Sequence, residues 1–155
     1  MKEIRIIIPE EDLWVVSLEP KDDLPVVIGL NRALYKFKYK KVFSWHLSVT
    51  VFYEECNNNG FPTKGELEAV SSLEDCLIDS IETHDDGKPN ALFLGRVTWD
   101  KTREYIYRVY NPEIVNKNLQ GIIDDGKYSR DFNFKMEHDK GWVLDKWYFD
   151  LKERL

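Results

Sequence analysis

The chain is poor in the residue sets that announce chemistry. It has two cysteines, Cys56 and Cys76, without the C-x-x-C spacing of a zinc ribbon or a dithiol redox site. Cys76 falls inside a helical pattern, so two reduced thiols are expected rather than a bridge. Beside Cys56, the charges of Glu54 and Glu55 would raise a thiol pKa, not activate it. The three histidines, His46, His84 and His138, are scattered over a strand, a helix end and a loop, and none has a partner at metal-ligand spacing. His84 beside Asp85 and Asp86 could attract a cation, but a solvated turn accounts for the trio.

Glycine is equally sparse: Gly60, Gly65, Gly87 and Gly126 stand alone, which excludes a phosphate-cradling loop. Ser44, Ser48 and Ser129 lack a nucleophile-elbow context. The acidic pairs Glu54-Glu55, Asp85-Asp86 and Asp124-Asp125 sit at element ends, where turn chemistry explains them. Long apolar runs are missing too. Ile6-Ile7-Ile8-Pro9 is followed at once by Glu10, Glu11 and Asp12, so neither a signal peptide nor a membrane span is expected. Positive charge is in deficit, with a net charge of −6 that repels phosphate backbones and disfavours nucleic acid. No catalytic residue, metal or cofactor emerges, and a non-enzymatic protein is expected.

What the chain does have is core-forming material: 43% hydrophobic residues, with five Trp, eight Tyr and eight Phe. At 155 residues it is the size of one domain and buries roughly two-thirds of its unfolded surface. Residues Leu13 to Leu18 and Leu24 to Leu30 read as strands joined through Glu19-Pro20-Lys21-Asp22-Asp23. Trp45 to Tyr53 alternates with the period of a half-buried strand. Thr63-Lys64-Gly65-Glu66 is a capping box, and Leu67, Val70, Leu73, Leu77 and Ile81 form the stripe of the helix it opens; Asp86-Gly87 reads as its stop.

Ala91 to Trp99 and Arg103 to Tyr110 form a second hairpin through Asp100-Lys101-Thr102. Asn111-Pro112-Glu113 starts another helix, with Val115, Leu119, Ile122 and Ile123 inward and Gly126 at its end. Phe132 to Glu137 alternates as a last strand. After Asp139-Lys140-Gly141, a helix from Trp142 aligns Leu144, Trp147, Tyr148, Leu151 and Leu155.

Strand, helix, strand, strand, helix, strand leaves few assemblies with short, right-handed connections. The expected fold is α+β: a ferredoxin-like antiparallel sheet over residues 45–137 with two helices on one face. Residues 1–44 add an N-terminal hairpin, and residues 138–155 a C-terminal helix, within a single domain. The helix-free face is the expected binding platform.

Two aromatic stretches are candidate surfaces. Tyr35, Phe37 and Tyr39 alternate with Lys36, Lys38 and Lys40, with Arg32 and Lys41 at the ends. The stretch from Tyr35 to Lys41 has a pattern that suits single-stranded RNA, against an edge strand with buried rings and blocking lysines, the favoured reading. Arg103, Tyr105, Tyr107 and Tyr110 lie where an RNA-recognition module carries stacking rings. Glu104 and Ile106, however, replace the small residues that admit RNA, so the alternative is tyrosines packed beneath the terminal helix. With Trp99, these make Arg103, Tyr105, Tyr107, Tyr35, Phe37 and Tyr39 the candidate binding residues. A protein partner, a second copy of the chain included, is favoured over RNA.

Gly95-Arg96-Val97-Thr98-Trp99, Arg103-Glu104-Tyr105-Ile106-Tyr107, Leu73-Glu74-Asp75 in the helix after Pro62, and the Trp142 tail together resemble the bacterial family called domain of unknown function 695. The resemblance runs from about Leu13 onward. Lys101 and Thr102 stand where that family carries glycine before the arginine. The family is similar in turn to the regulator of ribonuclease activity B, a small acidic protein that inhibits a ribonuclease by binding it. The resemblance implies a cytoplasmic bacterial protein, with inhibition of a partner protein as its nearest analogy, and defines no catalytic residues.

Overall fold

The computed structural model describes residues 6–85 and 87–153. Its strands are β1 (Leu13–Lys21), β2 (Leu24–Asn31), β3 (Trp45–Phe52), β4 (His84–Asp85), β5 (Lys88–Pro89), β6 (Ala91–Trp99), β7 (Thr102–Val109) and β8 (Phe132–His138). Its helices are α1 (Lys64–Ile81), α2 (Pro112–Asp125) and α3 (Lys146–Lys152), with 3-10 turns at Arg32–Leu34, Lys40–Val42 and Val143–Asp145. The fold is α+β, built on a six-stranded antiparallel sheet in the order β1-β2-β6-β7-β3-β8.

Period-two alternation sorts β3 cleanly. Leu47, Val49 and Val51 are buried against Val70, Leu73, Leu77 and Ile81 of α1 and Val115 and Leu119 of α2, so both helices cover one face. On the other face, Ile28 and Leu30 of β2, Leu92 and Leu94 of β6 and Ile106 of β7 form a second core with Phe37, Phe43, Trp142, Tyr148 and Leu151. That face was expected to be open. In the structure residues 32–43 and the C-terminal segment cover much of it, packing over β2, β6 and Ile106 of β7.

Gly95 permits the close β2–β6 approach beneath this roof. A Cβ there would meet the Gly29 carbonyl oxygen at 2.9 Å, well inside contact distance. The roof is held by Tyr148, whose hydroxyl donates to the Asn31 carbonyl at 2.6 Å and accepts from the Leu34 amide at 3.2 Å.

Several local expectations are corrected. The Tyr35–Lys40 alternation is no strand: Asn31 caps a 3-10 turn by accepting from the Ala33 amide at 3.1 Å, which swings the chain off the sheet. The first hairpin keeps Glu19–Lys21 in β1 beyond a bulge and turns on Asp22 and Asp23 alone, both left-handed. Helix α1 stops at Ile81, before the small β4–β5 hairpin in which Gly87 takes φ +75°; Asp86 lies outside the described residues.

The capping box is half formed. Thr63 Oγ1 accepts from the Glu66 amide at 3.2 Å, but the Glu66 carboxylate turns away to Arg130. The tail becomes α-helical only at Lys146, leaving Leu144 exposed, while Leu155 lies outside the described residues. Helix α2 is capped by Asn111 and closed by left-handed Gly126 as expected, but of its expected inward positions Ile123 is exposed. Both cysteines are free thiols, and burial followed by Glu66 raises that of Cys56.

Candidate functional site

The roof does not seal the second sheet face. Between it and α3 lies a cleft of about 460 Å³. Ile28, Val97 and Ile106 form its floor, Leu144, Trp147 and Leu151 its wall, and Leu18 of β1 stands at its β1 side. The polar groups that reach it are His46 of β3, Glu104 of β7 and Asp150 of α3.

These side chains share a face because of sheet register. His46 lies opposite Arg108, and Ser48 opposite Ile106, so the even positions of β3 and β7 point together, away from α1 and α2. Ser48 donates its hydroxyl to Glu104. His46 Nδ1 lies 3.0 Å from Asp145 Oδ2, the same oxygen that accepts from Arg108 Nη1 at 2.8 Å.

Arg108 organises this end of the cleft. It is fully buried, donates through Nε to the Phe43 carbonyl at 3.2 Å and through Nη1 to Asp139 at 3.1 Å, and lies over the Trp142 ring at 4.8 Å. Asp139 in turn accepts from the Val143 and Leu144 amides. Burial alone would raise the Asp139 carboxyl, but the Leu144 amide and then Arg108 outweigh it and hold the group below its ordinary value. Trp147 Nε1 donates to Asp145 Oδ1 at 3.2 Å. A buried guanidinium shared by two carboxylates thus fixes the turn from which α3 departs, and with it the cleft wall.

The residues expected to bind are dispersed instead. Tyr105 and Tyr107 are 4% and 1% exposed, on the face beneath α1 and α2, not on the open one. The Tyr53 hydroxyl donates to Glu74 at 2.7 Å, Arg103 lies 3.8 Å from the same carboxylate, and Arg103 Nε donates to Thr98 at 3.0 Å. Burial, then Glu74, pushes Tyr105 up to about 12.

Trp99 closes the first hairpin, donating to the Lys21 carbonyl at 3.0 Å with the Lys21 ammonium over its ring. Phe37 is buried, and Tyr35 stacks on Tyr148 with centroids 4.5 Å apart, while Tyr39 sits edge-on to Phe37. None of these expected residues lines the cleft; from the same strand it is Glu104 and Ile106, noted as departures from an RNA-binding strand, that reach it. His46 and Asp145 are joined across 99 positions, a pairing that no local spacing reveals.

Among the described residues, no group of three or more His, Cys, Asp or Glu side chains could hold a metal ion, and no helix is long and apolar enough to cross a membrane. A protein-family model described as a family of unknown function, DUF695, matches residues 12–151. No curated protein and no solved structure matches the chain.

Proposed function

Since the chain belongs to the DUF695 family, whose description carries no activity, we propose its role from its own geometry. It is a non-enzymatic, regulatory protein-binding module that takes an apolar, basic segment of a partner into the cleft between the sheet and α3. The carrying observation is the lining: an aliphatic floor and tryptophan wall bordered by the carboxylates of Glu104 and Asp150, which suits an apolar anchor flanked by Lys or Arg.

The polar geometry supports binding over catalysis. His46 and Ser48 are neighbours on one strand face, but each is turned to a different carboxylate, His46 to Asp145 and Ser48 to Glu104, and not to each other as a nucleophile and its base require. Ser48 is engaged by Glu104, and the His46 partner is already held by Arg108. The RNA reading has no such support, because the rings between Tyr35 and Tyr39 pack internally and Lys40 donates to the Phe37 carbonyl.

We read the β3–α1–β6–β7–α2–β8 unit as ferredoxin-like, supported by its strand order and by both helices lying on one face. The resemblance to the regulator of ribonuclease activity B supports a basic, nucleic-acid-handling protein as the partner, in a bacterial cytoplasm.

A displayed peptide library panned against the protein tests the cleft. Selected sequences are expected to carry an aromatic or aliphatic residue beside Lys or Arg, and the double variant Glu104→Lys, Asp150→Lys to select acidic flanks instead. An unselective library, or selection indifferent to the charge reversal, overturns the proposal.

A further inference from the structure

The two edges of the sheet are treated very differently. On β8, Asn133, Lys135 and Glu137 share one face, and Lys135 pairs with Glu137 at 2.6 Å; charge protects this edge against strand pairing. On β1, the six residues Leu13-Trp14-Val15-Val16-Ser17-Leu18 carry no charge, glycine or proline, which is the composition that pairs most readily with another strand. Val15 is 70% and Trp14 44% exposed.

The register shows which backbone groups of β1 face outward. The Arg32 amide donates to the Asp12 carbonyl at 2.8 Å, so Asp12 and Arg32 are a hydrogen-bonded pair, followed on β1 by Trp14, Val16 and Leu18 opposite Leu30, Ile28 and Val26. In an antiparallel ladder the intervening residues turn their N–H and C=O outward. Leu13, Val15 and Ser17 therefore present a row of donors and acceptors without partners among the described residues. The inward-bonded residues Trp14, Val16 and Leu18 share the cleft side of the sheet, where Leu18 lines the cleft.

Charge decides the occupant. The apolar run is bracketed by Glu10, Glu11 and Asp12 before it and by Glu19, Asp22 and Asp23 after it. Of the nearby cations, Arg32 pairs with Asp12 and covers the Trp14 ring, Lys21 lies over Trp99, and Arg96 lies across Gly29 opposite Val15, at the middle of the run and not at its acidic ends. Antiparallel pairing of two copies would lay one acidic bracket beside the other, a like-charge arrangement that disfavours a homodimer here.

We propose that β1 is a strand-addition site for an extended segment of a partner protein, apolar over about six residues with Lys or Arg at both ends. The proposal rests on the protein-binding reading and deepens it, since such a strand would run along the β1 side of the cleft and its flanking residues could reach it.

The probe is a capped synthetic peptide with two lysines at each end of an alternating valine–threonine core, added to the full-length protein and followed by residue-resolved amide exchange. The Leu13, Val15 and Ser17 amides are expected to slow by at least about tenfold. A glutamate-flanked peptide, and a lysine-flanked one N-methylated at every core residue so that neither edge can donate, should produce no slowing. Val15→Pro, which removes an outward amide that has no partner among the described residues, should weaken binding by at least about tenfold, while Lys135→Ala on the opposite edge leaves the edge protection in place.

Failure of the edge amides to slow, or equal binding of the N-methylated peptide, overturns strand addition. If the peptide then perturbs His46 and Trp147 alone, the cleft reading survives without it. Edge protection that rises with protein concentration in the absence of peptide identifies a second copy as the occupant and overturns the charge argument.

Discussion

Glu66 shows at the scale of one residue how a helix-capping motif acquired a long-range partner. Its carboxylate is buried and receives both Arg130 Nη2 at 2.7 Å and Nε at 2.8 Å, with the Glu54 amide at 2.7 Å. These bonds, Arg130 first, outweigh burial and lower its pKa to about 2 from an ordinary 4.5. A depressed carboxyl contributes stability that is fully present above its unfolded pKa and is lost as pH falls toward the folded one. Stability should therefore decline from about pH 5 to pH 2. Urea midpoints across that range should fall steeply for the native chain and less steeply for Arg130→Met, which also starts lower because it leaves a buried carboxylate unpaired. Equal slopes would remove Glu66 as the source of the acid sensitivity.

Elements were more legible than their partners. Strand β3 and helices α1 and α2 could be read because one face of each is buried, so periodicity and caps carry the signal. The roof could not. Tyr35 to Lys40 alternates like a strand, yet the Asn31 cap lifts it off the sheet before any ladder forms. The facing of Tyr105 and Tyr107 was hidden for another reason: alternation says that they share a side, while register against β3 decides which side.

The β6–β7 hairpin carries a signal of its own. Asp100 and Lys101 adopt φ +43° and +64°, and the resemblance had placed glycine at this turn. A non-glycine left-handed residue costs about 1–2 kcal/mol, part of which glycine returns through its freer unfolded chain. Lys101→Gly should raise stability by about 0.5–1 kcal/mol in urea unfolding. The bond from the Tyr53 amide to the Lys101 carbonyl, 2.8 Å, is kept. A loss of stability would mean that the lysine side chain does more than occupy the turn.

For the whole molecule, the decisive fact is that one sheet separates two cores. The first was legible from residues 45–137 alone. The second draws its cover from residues 32–43 and from the tail, so nothing local in β2 or β6 shows what lies above Ile28, Leu30, Leu92 or Leu94. The candidate cleft is a consequence of that cover and was illegible for the same reason.

The tail should then be integral to the fold. Trp142, Tyr148 and Leu151 are buried in the second core, and each contributes about 1.5–3 kcal/mol. Together they rival the roughly 5–15 kcal/mol that separates a folded domain from its unfolded chain. Removal also leaves Arg108 without Asp139 and Asp145, a buried cation stripped of its carboxylates. A chain ending at His138 is expected to lose its near-ultraviolet circular dichroism and its single cooperative urea transition, and to bind a hydrophobic dye. If it keeps a sharp transition close to that of the full chain, the sheet's second face does not need its roof, and the cleft would be an accessory to the fold instead of a product of it.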